Sequence, residues 1–135
     1  MKRPSEQSNL EAEFLTRWRQ LAPRGLPEPV GQVKFCGRKY AWDWAWGCSK
    51  VAVEMQGGTW KRGAHNREPR YSIDCEKSII GQCLGWMVIW LSGPMIRDDP
   101  LTWISIIADA VKTRQYIQSG KEINLNGLDK RKRPG

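Results

Sequence analysis

Two acidic residues stand alone among small and apolar neighbours, Asp43 in Tyr40–Trp46 (YAWDWAW) and Glu54 in Lys50–Gln56 (KVAVEMQ), with the turn signal Gly47-Cys48-Ser49 between them. Strict alternation along an extended chain puts Tyr40, Trp42, Trp44 and Trp46 on one face of the first stretch and Ala41, Asp43 and Ala45 on the other. The second stretch opposes Val51, Val53 and Met55 to Ala52, Glu54 and Gln56. A loop of Gly47 to Lys50 then pairs Trp46 with Val51, Trp44 with Val53 and Trp42 with Met55, which sets Asp43 opposite Glu54. Cross-strand Cβ atoms lie roughly 4.5 to 5.5 Å apart, and like charges in that relation destabilise a sheet unless they are neutralised. No basic residue alternates onto the carboxylate face, and Ala41, Ala45 and Ala52 leave room above it. The pattern suits a hard divalent cation.

Further elements must carry this hairpin. Ser8 and Glu11 form a capping box ahead of Leu10, Phe14, Trp18 and Leu21, which predicts a first helix ending before Pro23. Val30 to Cys36 reads as a strand, and Gly37-Arg38-Lys39 turns it into YAWDWAW, so the hairpin extends to a three-stranded meander. Thr59 to Arg70 is irregular and basic. A second helix is predicted over Ile73 to Leu84, capped by Ser72, with Ile73, Ile79, Ile80, Cys83 and Leu84 as its apolar arc and Asp74, Lys77 and Gly81 on the adjoining flank. Trp86 to Leu91 is apolar on both faces and reads as a strand covered on both sides. A last helix opens at Asp99-Pro100 and runs to about Gln118. The expected fold is α/β, a mixed four-stranded sheet flanked by helices in the order helix, three-stranded meander, helix, strand, helix.

The 135 residues suffice for one domain, assigned to 1–120, with 121–135 as a basic, flexible tail. A net charge of +8 and eight tryptophans point to a polyanionic partner. No apolar run approaches the ~18 residues of a membrane span, and the start MKRPSEQSN lacks the apolar centre of a signal peptide. No membrane association and an intracellular, cytoplasmic setting are therefore expected. Cys36, Cys48, Cys75 and Cys83 show no paired zinc spacing and read as buried, reduced thiols.

Taken in order, AWDWAW, KVAVEMQGGTW, GAHNR, YSIDCEK and LGWMVIW resemble the small single-domain nucleases common in phage genomes, relatives of the very-short-patch repair endonuclease. That group belongs to the restriction-endonuclease-like superfamily, whose signature is written PD…(D/E)xK. The likeness runs from Glu11 to Trp90 and rests on Asp43 and Glu54-Met55-Gln56. It implies a Mg2+- or Mn2+-dependent endonuclease acting on DNA, with nicks, mismatches, branches or junctions among its substrates. Asp43 would be the central metal ligand, Glu54 the second, and the backbone carbonyl of Met55 would complete the protein's share. Glu13 matches the family's early acidic residue and would reach the metal through water. Gln56 stands where the family most often has lysine, and a neutral amide cannot supply a positive charge. Lys77, on the following helix, is the candidate replacement, with Asp74 one turn before it.

His65 sits in the basic loop and suits protonation of a leaving oxygen or contact with a phosphate. Trp60, Lys61, Arg62, Arg67 and Arg70 follow directly on the strand that carries Glu54, where they would hold phosphates beside the carboxylates. Lys130, Arg131, Lys132 and Arg133 form a second basic run. Trp42, Trp44 and Trp46 are expected in the core rather than stacked on bases. Two other functions stay open: a nuclease-fold DNA-binding protein without activity, and a basic accessory protein in phage recombination or packaging. A homodimer is also open.

Overall fold

A computed structural model describes residues 6–56 and 68–116. The elements are α1 (Glu6–Leu21), β1 (Val30–Lys34), β2 (Ala41–Trp46), β3 (Val51–Gln56), α2 (Glu68–Cys83), β4 (Met87–Ser92), α3 (Gly93–Asp98) and α4 (Pro100–Tyr116). The strands form one sheet in the order β1-β2-β3-β4. The first three make an antiparallel meander, and β4 joins β3 in parallel after the α2 crossover. This is the expected α/β architecture, with α3 added between the last strand and the last helix.

The β2–β3 register is the expected one, with Trp46 opposite Val51 and Trp44 opposite Val53. Its turn is Gly47 to Lys50, closed by Ser49 N–H donating to Trp46 O at 3.2 Å and Lys50 N–H to Gly47 O at 3.3 Å. The sheet separates two apolar layers. On one face α1, α3 and α4 pack Leu10, Phe14, Trp18, Ile96, Ile104 and Val111 against Trp46, Val51, Val53, Met55 and Leu91. On the other, under α2, lie Trp42, Ala45, Ala52 and Trp86, with Val33, Phe35 and Val88 beside them.

Trp42 departs from the expected alternation, because it joins Ala45 and Ala52 under α2 instead of Trp44 and Trp46 on the opposite face. The break falls at Asp43. The β1–β2 ladder skips the Gln32–Asp43 position, Gln32 adopts a positive φ of 52°, and the β2–β3 ladder stops at Trp44↔Val53. A local interruption of both ladders resets which face the next side chain takes.

Several boundaries also move. α1 begins at Glu6 and α2 at Glu68, so Ser8 and Ser72 lie within helices rather than capping them. Pro69 has no N–H to leave unpaired in the first turn of α2. β1 ends at Lys34 instead of Cys36. The expected apolar arc of α2 faces outward, with Ile73, Ile79 and Leu84 exposed, while the flank holding Lys77 and buried Gly81 faces the sheet. β4 is the edge strand of the described sheet; Leu91 and Ile89 pack on one face and Val88 on the other, so the strand is covered on both sides as expected, although only Leu91 is fully buried. The short α3 has Pro94 in its first turn, a start signal that the apolar run before it masked. Cys48, Cys75 and Cys83 are exposed and Cys36 is half-buried, all as free thiols, so the expectation of buried thiols fails. Residues 117–135, including the proposed tail, lie outside the described residues.

Trp46 ties α1 to the sheet. It is buried, its centroid is 4.8 Å from that of Trp18 and 6.3 Å from that of Phe14, and its Nε1 donates to Pro27 O at 2.8 Å. Trp46→Ala is expected to reduce unfolding free energy by about 3–5 kcal/mol, the usual loss for a buried large aromatic, as read from the midpoint of a urea titration.

Candidate active site

Asp43 and Glu54 meet at the seam where the β2–β3 ladder opens. The Asp43 N–H donates to Glu54 Oε2 at 2.8 Å, and the Met55 N–H donates to Asp43 Oδ2 at 2.8 Å. Each carboxylate therefore takes a backbone donor from the other strand, so these amides stay satisfied without regular ladder bonds. This reciprocal pair holds both acids beside each other at the end of the hairpin. The small residues Ala45 and Ala52 lie toward the turn on the α2 face, which they share with Trp42, whereas the spacing set Trp42 on the opposite face.

Lys77 completes the seam from α2. Its Nζ donates to Glu54 Oε1 at 2.5 Å and lies 5.3 Å from the centre of the Trp42 ring. Both Glu54 oxygens thus accept hydrogen bonds, which favours the ionised form. Burial and the neighbouring Asp43 charge oppose it more strongly, and the Glu54 pKa is pushed up to about 7. Burial also raises the Asp43 carboxyl, while the Met55 N–H and the Lys77 charge act to lower it.

The acidic residue of α1 that meets this pair is Glu11. Its carboxyl lies within reach of Asp43, where a proton shared between the two acids favours the ionised Asp43, and its backbone carbonyl accepts from Trp44 Nε1 at 3.0 Å. Glu13, expected to approach a metal through water, is instead half-buried and ion-paired with Arg17 at 3.4 Å. A signal for Glu11 existed in the sequence: it precedes Phe14 by three residues and Trp18 by seven, so it borders the buried stripe, whereas Glu13 does not. Asp74 is near enough for its charge to raise Asp43.

Gln56 ends β3 opposite Ser92, two residues beyond Glu54, and is half-buried. Met55 packs its side chain into the core. Trp60, Lys61, Arg62, His65 and Arg67 lie outside the described residues, as do Lys130, Arg131, Lys132 and Arg133. Arg70 belongs to the first turns of α2 and not to an irregular loop. Among the described residues no three His, Cys, Asp or Glu side chains form a metal-binding cluster. Among the described residues the Asp43–Glu54 pair offers an all-oxygen donor set. Mg2+ is commonly held by one or two carboxylates and keeps several waters, so the pair fits such an ion chemically.

No protein-family model, curated protein or solved structure matches the chain. Among the described residues no helix is long and apolar enough to cross a membrane.

The raised Glu54 pKa has a definite sign. The folded protein binds this proton more tightly than the unfolded chain, so the contribution of Glu54 to stability is fully present below about pH 4.5 and is lost as pH rises through about 7. In chelator, wild-type melting temperature is expected to fall across that window relative to Glu54→Gln, as measured by circular dichroism at a series of pH values. Parallel curves for the two proteins would show that Glu54 does not titrate there.

Proposed function

We propose that this protein is a magnesium- or manganese-dependent endodeoxyribonuclease of restriction-endonuclease-like fold, acting on DNA inside the cell. The observation that carries this reading is the junction of Asp43, Glu54 and Lys77: two adjoining carboxylates, Glu54 buried and Asp43 half-buried, with a cation delivered to Glu54 from the next helix. The order of helix, antiparallel meander, crossover helix and parallel strand supports it. So does the net charge of +8, since DNA is a polyanion.

Asp43, Glu54 and the Met55 carbonyl would hold the divalent ion. When bound, such an ion lowers the pKa of a water and offsets charge on the scissile phosphate. The chain's own groups do the remaining work. Lys77 holds positive charge beside Glu54, where it can stabilise a phosphorane as negative charge builds on it. Gln56, two residues on, offers an amide that can orient a water through its oxygen. Glu11 fixes Asp43 from α1. The surrounding apolar layers keep these groups in a weakly screening medium, which strengthens every charge interaction among them.

One observation favours a second reading. The Lys77–Glu54 ion pair already neutralises one carboxylate, and Gln56 supplies no charge, an arrangement that also suits a DNA-binding protein of this fold without activity. Metal-dependent cleavage separates the two. Asp43→Asn and Glu54→Gln should each abolish cleavage of plasmid, branched and junction DNA in Mg2+ or Mn2+ while leaving circular dichroism unchanged. Lys77→Met should lower turnover by roughly 10²- to 10³-fold, the usual loss of one electrostatic donor, with little change in DNA affinity. Wild-type protein that binds DNA but cleaves none of these substrates would establish the second reading.

Binding should depend steeply on salt. Lys61, Arg62, Arg67 and Arg70 follow β3 in sequence and are proposed to neutralise phosphates, each contact adding about −0.9 to the slope of log K against log salt on duplex DNA. Arg62→Glu or Arg67→Glu should flatten that slope by at least one contact, whereas deletion of Lys130 to Arg133 should weaken binding modestly. Fluorescence anisotropy in chelator measures both. A tail deletion that removes nearly all affinity while the loop variants remove none would move the DNA path away from the carboxylates.

A further inference from the structure

Glycine inside a helix is disfavoured relative to alanine, because it loses more backbone freedom and packs no side chain. Gly81 nevertheless occupies a buried position in the last third of α2. A Cβ built there would fall well inside van der Waals contact of the Trp42 ring carbons Cη2 and Cζ2. Trp42 has little room to yield: it is fully buried, stacked on Phe35 with centroids 3.8 Å apart and planes at 9°, and tilted against Trp86 at 5.9 Å. Its Nε1 is buried without a hydrogen-bond partner among the described residues. Phenylalanine would fill much of this space and leave no such donor unpaired. The indole adds a wider ring and the strongest cation-binding face among the aromatic side chains.

That face is occupied. Lys77 lies one helical turn before Gly81, with its Nζ 5.3 Å from the Trp42 ring centre and 2.5 Å from Glu54 Oε1. One ring therefore meets the bare backbone of α2 at residue 81 and the ammonium at residue 77.

We propose that Trp42 and Gly81 act together as positioning residues for Lys77: the missing side chain at 81 lets α2 settle on the indole, and the indole face then holds the ammonium against Glu54. The consequence for turnover rests on the nuclease reading, but the positioning itself does not. The ammonium should thus be observable independently of catalysis. An ammonium held between a ring and a carboxylate exchanges its protons slowly enough to give a ¹⁵N-edited NMR signal, which Lys77→Met assigns.

The test compares wild type with Gly81→Ala, Trp42→Phe, Trp42→Leu and the double variant Gly81→Ala/Trp42→Phe. The Lys77 ammonium signal is expected in wild type, weakened in Trp42→Phe, lost in Gly81→Ala and Trp42→Leu, and recovered in the double variant, where the smaller ring makes room for the methyl group. Turnover should follow the same order, falling by about 10-fold or more in Gly81→Ala toward the level of Lys77→Met with DNA affinity unchanged, and returning in the double variant. A general loss of stability would not produce recovery on shrinking a core residue. The proposal is overturned if the signal is missing from wild type, if it persists unchanged in Gly81→Ala or Trp42→Leu, or if the double variant folds without recovering it. Should Gly81→Ala fail to fold, Trp42→Leu decides. If wild type cleaves no DNA, the nuclease reading falls while the ammonium signal still decides the positioning.

Discussion

The two carboxylates that share the seam between β2 and β3, Glu54 buried and Asp43 half-buried, set the terms for everything around them. Neither can be left in an apolar interior without partners, because desolvation of a charge costs several kcal/mol even after relaxation. The chain answers by turning the backbone itself into a donor set. Asp43 receives the Met55 N–H, and Glu54 receives the Asp43 N–H. The regular ladder stops where these bonds begin, and the same interruption sends Trp42 to the α2 face. A site for paired acids and a break in the sheet are thus one structural event.

The break determines what α2 can do. With Trp42 under the helix, the surface facing α2 consists of a flat aromatic stack bordered by Ala45 and Ala52. A helix can approach such a surface closely only where its own side chain is absent, which is the case at Gly81. That approach turns the charged flank of α2 inward and leaves Ile73 and Ile79 at the surface. Lys77 then stands at Glu54 as a partly buried cation, and the ion pair it forms counteracts the pressure of burial and of Asp43 on the Glu54 carboxyl.

Such an arrangement is costly for stability, and the proposed nuclease reading gives that cost a use. Paired acids beside a desolvated lysine do not make an economical core, and an apolar replacement of similar shape commonly stabilises a fold. Preorganised charges in a weakly screening medium, by contrast, need no rearrangement when charge develops on a substrate. The opposite face of the sheet, with α1 and α4 packed over Trp46, Val51 and Val53, supplies the rigidity that fixed charges require.

Local rules in the sequence determined much of this molecule. Alternation and the Gly47–Lys50 turn were enough to pair Trp44 with Val53 and thereby bring Asp43 to Glu54, because hairpin register follows from loop length and period. The meander, the crossover helix and the start of α4 at Pro100 were legible for similar reasons. Tertiary structure decided the rest. Which face Trp42 takes depends on a ladder break created by side chains reaching across to backbone, and no period encodes that. Which side of α2 turns inward depends on the surface it meets, so a flank carrying Lys77 and Gly81 displaced the more apolar arc. Glu11 rather than Glu13 reaches Asp43 because α1 is oriented by Phe14 and Trp18 packing on Trp46, contacts between residues far apart in the chain.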